Sequence, residues 1–157
     1  MPDRDLSHLT PALYALCVKH LAACQAEGLD VFVTFTRRTL AEQRALYAQG
    51  RECLAQVNAL RAQAGLPLIT AAENVHVVTW TLKSKHLPGP DGLARAYDIA
   101  IRDADGRFWD TKLDRDHDRC PDFLEVAKIG KALGLECGYF WKHPDPAHFQ
   151  LDRLPEE

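Results

Sequence analysis

The sequence predicts an α+β domain in which a small antiparallel sheet is packed by helices. Three observations carry this. Apolar residues recur at helical spacing in stretches bounded by caps and glycine stops. Between them lie short runs dense in β-branched and aromatic residues, set off by Gly and Pro turns. At 157 residues and 46% hydrophobic content, the chain supports one core and is too short to expect two. No repeat, low-complexity stretch or interdomain linker interrupts it, so residues 1–157 read as one domain.

Thr10-Pro11 offers an N-cap and a first-turn proline, after which Leu13, Leu16, Cys17, Leu21 and Cys24 recur at helical spacing until Gly28. Cys17 and Cys24 read as core packing, and His20 as a packed or half-exposed neighbour of that stripe. Val31–Thr36 reads as a short, largely buried strand that delivers Arg37 and Arg38 to its end. Thr39-Leu-Ala-Glu42 matches a capping box and opens a helix to Gly50. Residues 51–64 continue as a helix through Leu54, Val57, Leu60 and Arg61, packing beside the first, and Gly65-Leu-Pro67 ends it. After a loop over 68–75, Val75–Leu82 is strongly β-forming and runs into Ser84-Lys85-His86, which puts His86 at or just after a strand end. Ala94–Ile101 is the returning strand, with Tyr97, Ile99 and Ile101 on one face and Asp98 on the other beside Ala96 and Ala100. Asp103–Gly106 is a turn, Arg107–Asp110 an extended piece, and Thr111–Arg119, with His117, a solvated loop. Pro121 opens a last helix that stops at Gly134, and strands near Leu135–Phe140 and Ala147–Leu151 complete the pattern.

The net charge of -3 and the absence of a basic run argue against nucleic acid as a partner. Cys17, Cys24, Cys53, Cys120 and Cys137 form no Cys-x-x-Cys pair and read as reduced thiols. No apolar run approaches the roughly 20 residues of a membrane span, and the N-terminus lacks the pattern of a secretion signal. A monomeric, cytoplasmic protein without stable membrane association is expected.

Ser84 to Asp98 places a histidine and an aspartate at opposite ends of a loop containing Pro88, Gly89, Pro90 and Gly92. Such a loop can fold back and bring a nitrogen and a carboxylate oxygen to one metal. A third ligand has to come from elsewhere, and His148 in Asp145-Pro-Ala-His148 is the best supply; His143, before a proline, is the rival. Two histidines and an aspartate suit a catalytic zinc site, which needs about three protein ligands and an open position for water. Asp145 lies between two prolines that fix its backbone, and it has the chemistry of a general base. Arg38, at a strand end, offers a guanidinium fork to a carboxylate or oxyanion.

Three blocks together resemble a known family, the zinc D-Ala-D-Ala carboxypeptidases and L-alanyl-D-glutamate endopeptidases that cut peptidoglycan stem peptides, including many phage endolysins. Thr36 to Arg51 is similar to its Arg-Ser/Thr-x-x-Glu-Gln-x-x-Leu-Tyr segment. Ser84-Lys-His86 with Ala96-Tyr-Asp98 is similar to its Ser-x-His … Ala-x-Asp motif, and Asp145-Pro-Ala-His148 to its acid-x-x-His block. The resemblance implies the hedgehog/D-Ala-D-Ala peptidase fold, with His86, Asp98 and His148 as Zn2+ ligands and Asp145 as the base. It implies Arg38 as the group that steadies the scissile carbonyl or its oxyanion, and Ser84 and Gln43 as supporting or substrate contacts. The implied substrate is a bacterial stem peptide, cut at the L-Ala-D-Glu bond by an endolysin that acts on the wall after release. A D-Ala-D-Ala carboxypeptidase and a non-catalytic zinc-stabilised peptide-binding module, closed by a fourth ligand such as His143, are the alternatives. Compact members of the family carry a shorter stretch between the first histidine and the aspartate than the eleven residues, Leu87 to Tyr97, found here.

Overall fold

Pro11 opens the first helix, α1 (Pro11–Ala26), at a position where its missing N–H breaks no helical bond. Leu13, Cys17, His20 and Cys24 follow at helical spacing and are all buried, forming the stripe that faces the core. Thr10 is the N-cap residue but its hydroxyl makes no capping bond. Its backbone N–H instead reaches the Ala94 carbonyl, tying the start of α1 to the chain entering the sheet. These features belong to a computed structural model that describes residues 2–102 and 119–151. The expected turn at Asp103–Gly106, the extended piece Arg107–Asp110 and the loop from Thr111 through His117 lie outside the described residues.

Among the described residues the sheet has four antiparallel strands, β1 (Asp30–Phe35), β2 (Ala96–Arg102), β3 (Glu136–Cys137) and β4 (His148–Gln150), in the order β1-β2-β4-β3. β2 is central and buried along all but its last residue. Its Tyr97, Ile99 and Ile101 pack with the α1 stripe, with Phe149 of β4, and with Phe123, Val126 and Ala127 of α4 (Asp122–Ala132). Asp98 points to the opposite face, between Ala96 and Ala100, because side chains alternate along a strand. β1, expected to be largely buried, has one neighbouring strand among the described residues and is only half-buried.

The capping box is present: Thr39 N–H donates to Glu42 Oε1 at 3.0 Å and Glu42 N–H to Thr39 Oγ1 at 3.1 Å. It starts α2 (Leu40–Ala48), and α3 (Leu54–Ala64) packs against α2 rather than beside α1. Gly65 ends α3 in the left-handed region, as its position after the last apolar residue implied.

One expected strand is absent. Val75–Leu82 forms a short 3-10 turn, Glu73–Val75, followed by bends and turns. β propensity measures the fit of a side chain to a pleated, half-buried surface, and here that surface is missing: Val75 is 72% exposed and Trp80 57%. The backbone is held from the side instead. Gln43 donates to the Thr81 carbonyl at 2.8 Å, and Arg51 to the Thr79 carbonyl at 3.1 Å. His86 therefore sits in a turn, not at a strand end, and only one side of the expected hairpin is a strand. At the C-terminal end β3 is also shorter than expected, because the chain bends into a 3-10 turn at Gly138–Phe140.

Candidate functional site

The sheet register assembles the first pair of site residues. Asp98 of β2 and His148 of β4 are direct cross-strand partners. On the other side of β2 the β1 register shifts between Val33 and Phe35, so that Phe35 comes opposite Asp98. Bulges re-aim the chain at sheet edges, and this one lies just before Thr36, Arg37 and Arg38. The Thr36 carbonyl accepts from His86 Nδ1 at 2.6 Å, the His86 carbonyl accepts from Arg38 N–H at 2.9 Å, and Ser84 Oγ accepts from His86 N–H at 3.1 Å. His86 is fully buried, fixed from three directions without belonging to any strand.

His86 Nε2 lies 3.1 Å and His148 Nδ1 3.3 Å from the same oxygen, Asp98 Oδ1. All three ligand atoms fall within 4.8 Å of one another. Tautomers decide what this cluster can hold. A carbonyl only accepts, so His86 carries its proton on Nδ1 and turns the Nε2 lone pair inward. His148 Nε2 bonds Gln150 Oε1 at 2.8 Å, which leaves Nδ1 facing Asp98. His86 Nε2 and Asp98 Oδ1 are buried and have no hydrogen-bond partner. Acceptor lone pairs converging in a buried site are unfavourable unless a cation lies between them. Two imidazoles and a carboxylate, with the His86 N–H on a backbone carbonyl, form a donor set that fits a divalent metal.

The second oxygen of Asp98 accepts from Arg38 Nη2 at 2.5 Å, while Arg38 Nη1 donates to Gln43 Oε1 at 3.2 Å and the guanidinium stacks 4.3 Å over Phe35. Burial pushes the Asp98 carboxyl up, but the neighbouring His86 and the Arg38 charge outweigh this and hold it well below the usual carboxylate range. Burial lowers His86. It also acts to lower His148, where the neighbouring Asp98 and Asp145 carboxylates prevail and raise it.

Asp145 lies at the edge of this cluster, half-buried. Burial and the charge of Asp98 push its carboxyl up to about 6. Its position is set by backbone: Asp145 N–H donates to the Gly138 carbonyl at 2.8 Å and its own carbonyl accepts from His148 N–H at 3.1 Å. A Cβ on Gly138 would stand 2.3 Å from the Asp145 carbonyl oxygen, so only glycine permits this approach. His143 is not part of the ligand group; its ring is stacked 4.3 Å from Trp80.

Of the residues singled out in the sequence, His86, Asp98, His148 and Arg38 come together, with Asp145 beside them. Gln43 is fully buried behind Arg38, bridging it to the 79–81 backbone, and Ser84 caps the turn that presents His86. Thr36, Gly138, Gln150, Glu136 and Trp141 were not anticipated. Only Gln150 left a signal, two residues from His148 and therefore on the same strand face.

No protein-family model matches the chain. A loose likeness to the solved structure of the LD-carboxypeptidase LdcB covers 90% of this chain and 58% of that one, with 13% identity and a TM-score of 0.48, too low to carry either fold or function across. The chain is 31% identical over 132 residues to the peptidoglycan L-alanyl-D-glutamate endopeptidase CwlK of Bacillus subtilis (strain 168), covering 83% of this chain and 65% of that protein. The chain thus spans just under two thirds of the length of that endopeptidase.

Proposed function

We propose that residues 1–157 form a zinc-dependent peptidoglycan peptidase that hydrolyses the stem peptide at the L-Ala-D-Glu bond. The observation that carries it is the convergence of His86 Nε2, His148 Nδ1 and Asp98 Oδ1 in a buried site with orphaned lone pairs. The similarity to CwlK supports the substrate class and the bond. His86, Asp98 and His148 hold the zinc, whose chemistry when bound is to polarise a carbonyl and acidify water. Asp145, with a carboxyl shifted to about 6, takes a proton from the attacking water and returns it to the leaving amine. Arg38 holds Asp98 in its ligating orientation and places positive charge beside the reacting carbonyl. Gln43 and Ser84 support Arg38 and His86 from behind. The stacking of His143 on Trp80 favours this reading over a closed structural site with His143 as fourth ligand. An endolysin role is favoured by Asp145, since some members of the resembled family, notably carboxypeptidases and dipeptidases, use Glu as the acid.

The test is incubation of purified protein with peptidoglycan and mass spectrometry of the products, beside Asp145→Ala and an EDTA-treated control. A new N-terminal D-Glu is expected from wild type alone. Free D-Ala would reassign the enzyme to the carboxypeptidases, and equal cleavage by Asp145→Ala would remove the base.

A further inference from the structure

Behind His148 runs a chain of polar contacts that the metal cluster does not require for its ligand count. Gln150 Oε1 faces His148 Nε2 at 2.8 Å, Gln150 Nε2 donates to Glu136 Oε2 at 3.2 Å, and Trp141 Nε1 donates to Glu136 Oε1 at 2.8 Å. The Trp141 ring then closes the circuit, its centroid 5.0 Å from that of His148. The sheet builds this arrangement: Glu136 and Gln150 are cross-strand partners, and Gln150 shares a strand face with His148.

The donor and acceptor types impose a direction on the chain. A carboxylate only accepts, and an indole N–H only donates. With Glu136 ionised, Gln150 must turn its NH2 towards Glu136 and its carbonyl oxygen towards His148. His148 must then donate from Nε2, which leaves the Nδ1 lone pair aimed at Asp98 Oδ1 and the metal position.

We propose that Glu136 is a positioning residue which, through Gln150, selects the His148 tautomer able to ligate a metal. The inference rests on the zinc reading of the site and assigns a role to a residue outside it. Outer partners of ligating histidines fix ring orientation and tautomer in this way.

The direction can be reversed by one atom. In Glu136→Gln, Trp141 N–H claims the remaining side-chain oxygen, so the new NH2 faces Gln150. Gln150 then turns its oxygen to position 136 and its NH2 to His148, which moves the imidazole proton to Nδ1, where a metal must bind. The double variant Glu136→Gln with Gln150→Glu restores each bond of this chain: the carboxylate at 150 accepts from His148 Nε2 and from the amide at 136, whose oxygen keeps the Trp141 bond.

The experiment is calorimetric titration of the metal-free full chain with zinc, for wild type, His86→Ala, Glu136→Gln and the double variant, with thermal melts of each. Expected are a single zinc site in wild type, loss of that site in His86→Ala, and about 10–100-fold weaker binding in Glu136→Gln. Affinity near wild type is expected in the double variant. A general loss of packing does not predict that recovery. Should Glu136→Gln fail to fold, the double variant decides alone: wild-type affinity upholds the relay and weak binding overturns it. Wild-type affinity in Glu136→Gln overturns the relay while leaving the zinc site standing. Absence of zinc binding by wild type, or equal binding by His86→Ala, overturns both.

Discussion

Single atoms at this site are held by neighbours that sequence spacing does not mark, and two substitutions expose them. Gly138 touches no ligand, yet a Cβ there would overlap the Asp145 carbonyl oxygen at 2.3 Å. Gly138→Ala is expected to push Asp145 off its position and lower kcat by about 100-fold, the scale of a roughly 1 Å misplacement. Zinc affinity should fall much less than kcat, since of the three ligands only His148 is tied to the displaced group, through its N–H bond to the Asp145 carbonyl. Steady-state kinetics beside a zinc titration separates the two. Arg38 gives the opposite pattern. The sequence points to it as an oxyanion group, and the structure adds a bond to Asp98 Oδ2. Arg38→Ala removes the partner that fixes the carboxylate, so zinc binding is expected to weaken about 10–100-fold along with activity. Full zinc affinity in that variant would confine Arg38 to the substrate side.

At the level of elements, what could be read from the chain was local and what could not was the set of neighbours. The Thr39 to Glu42 capping box appears with both bonds made, because each partner lies within four residues. Thr39→Ala is expected to cost about 1 kcal/mol, lowering Tm by roughly 2–4 °C for a chain of this size, as measured by thermal unfolding. Asp98 and His148 were identifiable as ligands by type, but their direct opposition depends on β2 and β4 pairing across about fifty residues, which spacing does not reveal. Val75–Leu82 has the composition of a strand and no strand to pair with; its geometry comes from Gln43 and Arg51 reaching over from α2 and the turn that follows it. Gln43→Ala removes the bond to the Thr81 carbonyl and frees this segment. Faster amide exchange over residues 77–83, with little change in α1 or the sheet, is the expected signature. Uniformly faster exchange would mean that Gln43 supports the whole fold.

Across the whole molecule, α1, the central strand and α4 meet at His20, a residue whose neighbours along the sequence indicate packing but not its partners. His20 Nε2 lies 2.8 Å from the Val126 carbonyl of α4 and must donate to it, so Nδ1 accepts from the Tyr97 hydroxyl of β2 at 2.7 Å. Phe149 packs edge-on at 4.6 Å. The neutral ring satisfies both bonds, whereas an imidazolium would be a charge in a fully buried site. Burial accordingly lowers the His20 pKa below its usual value near 6.5, the Val126 bond offsetting this only in part. An unfolded histidine takes up its proton as pH falls through about 6.5, while folded His20 does not until lower pH. The unfolded state thus binds more protons in that window, and stability declines as pH falls, by up to about 1.4 kcal/mol per pH unit from this group. His20→Leu removes the hydrogen bonds to the Tyr97 hydroxyl and the Val126 carbonyl and is expected to cost about 1–3 kcal/mol near pH 7.5. Because it cannot charge, it should also lose this component of the acid slope. Urea unfolding of both proteins at pH 7.5, 6.5 and 5.5 reads the two effects together, with the site histidines titrating alike in each. The gap between wild type and variant should narrow towards low pH; a constant gap would mean that His20 is not held neutral at the junction of the three elements.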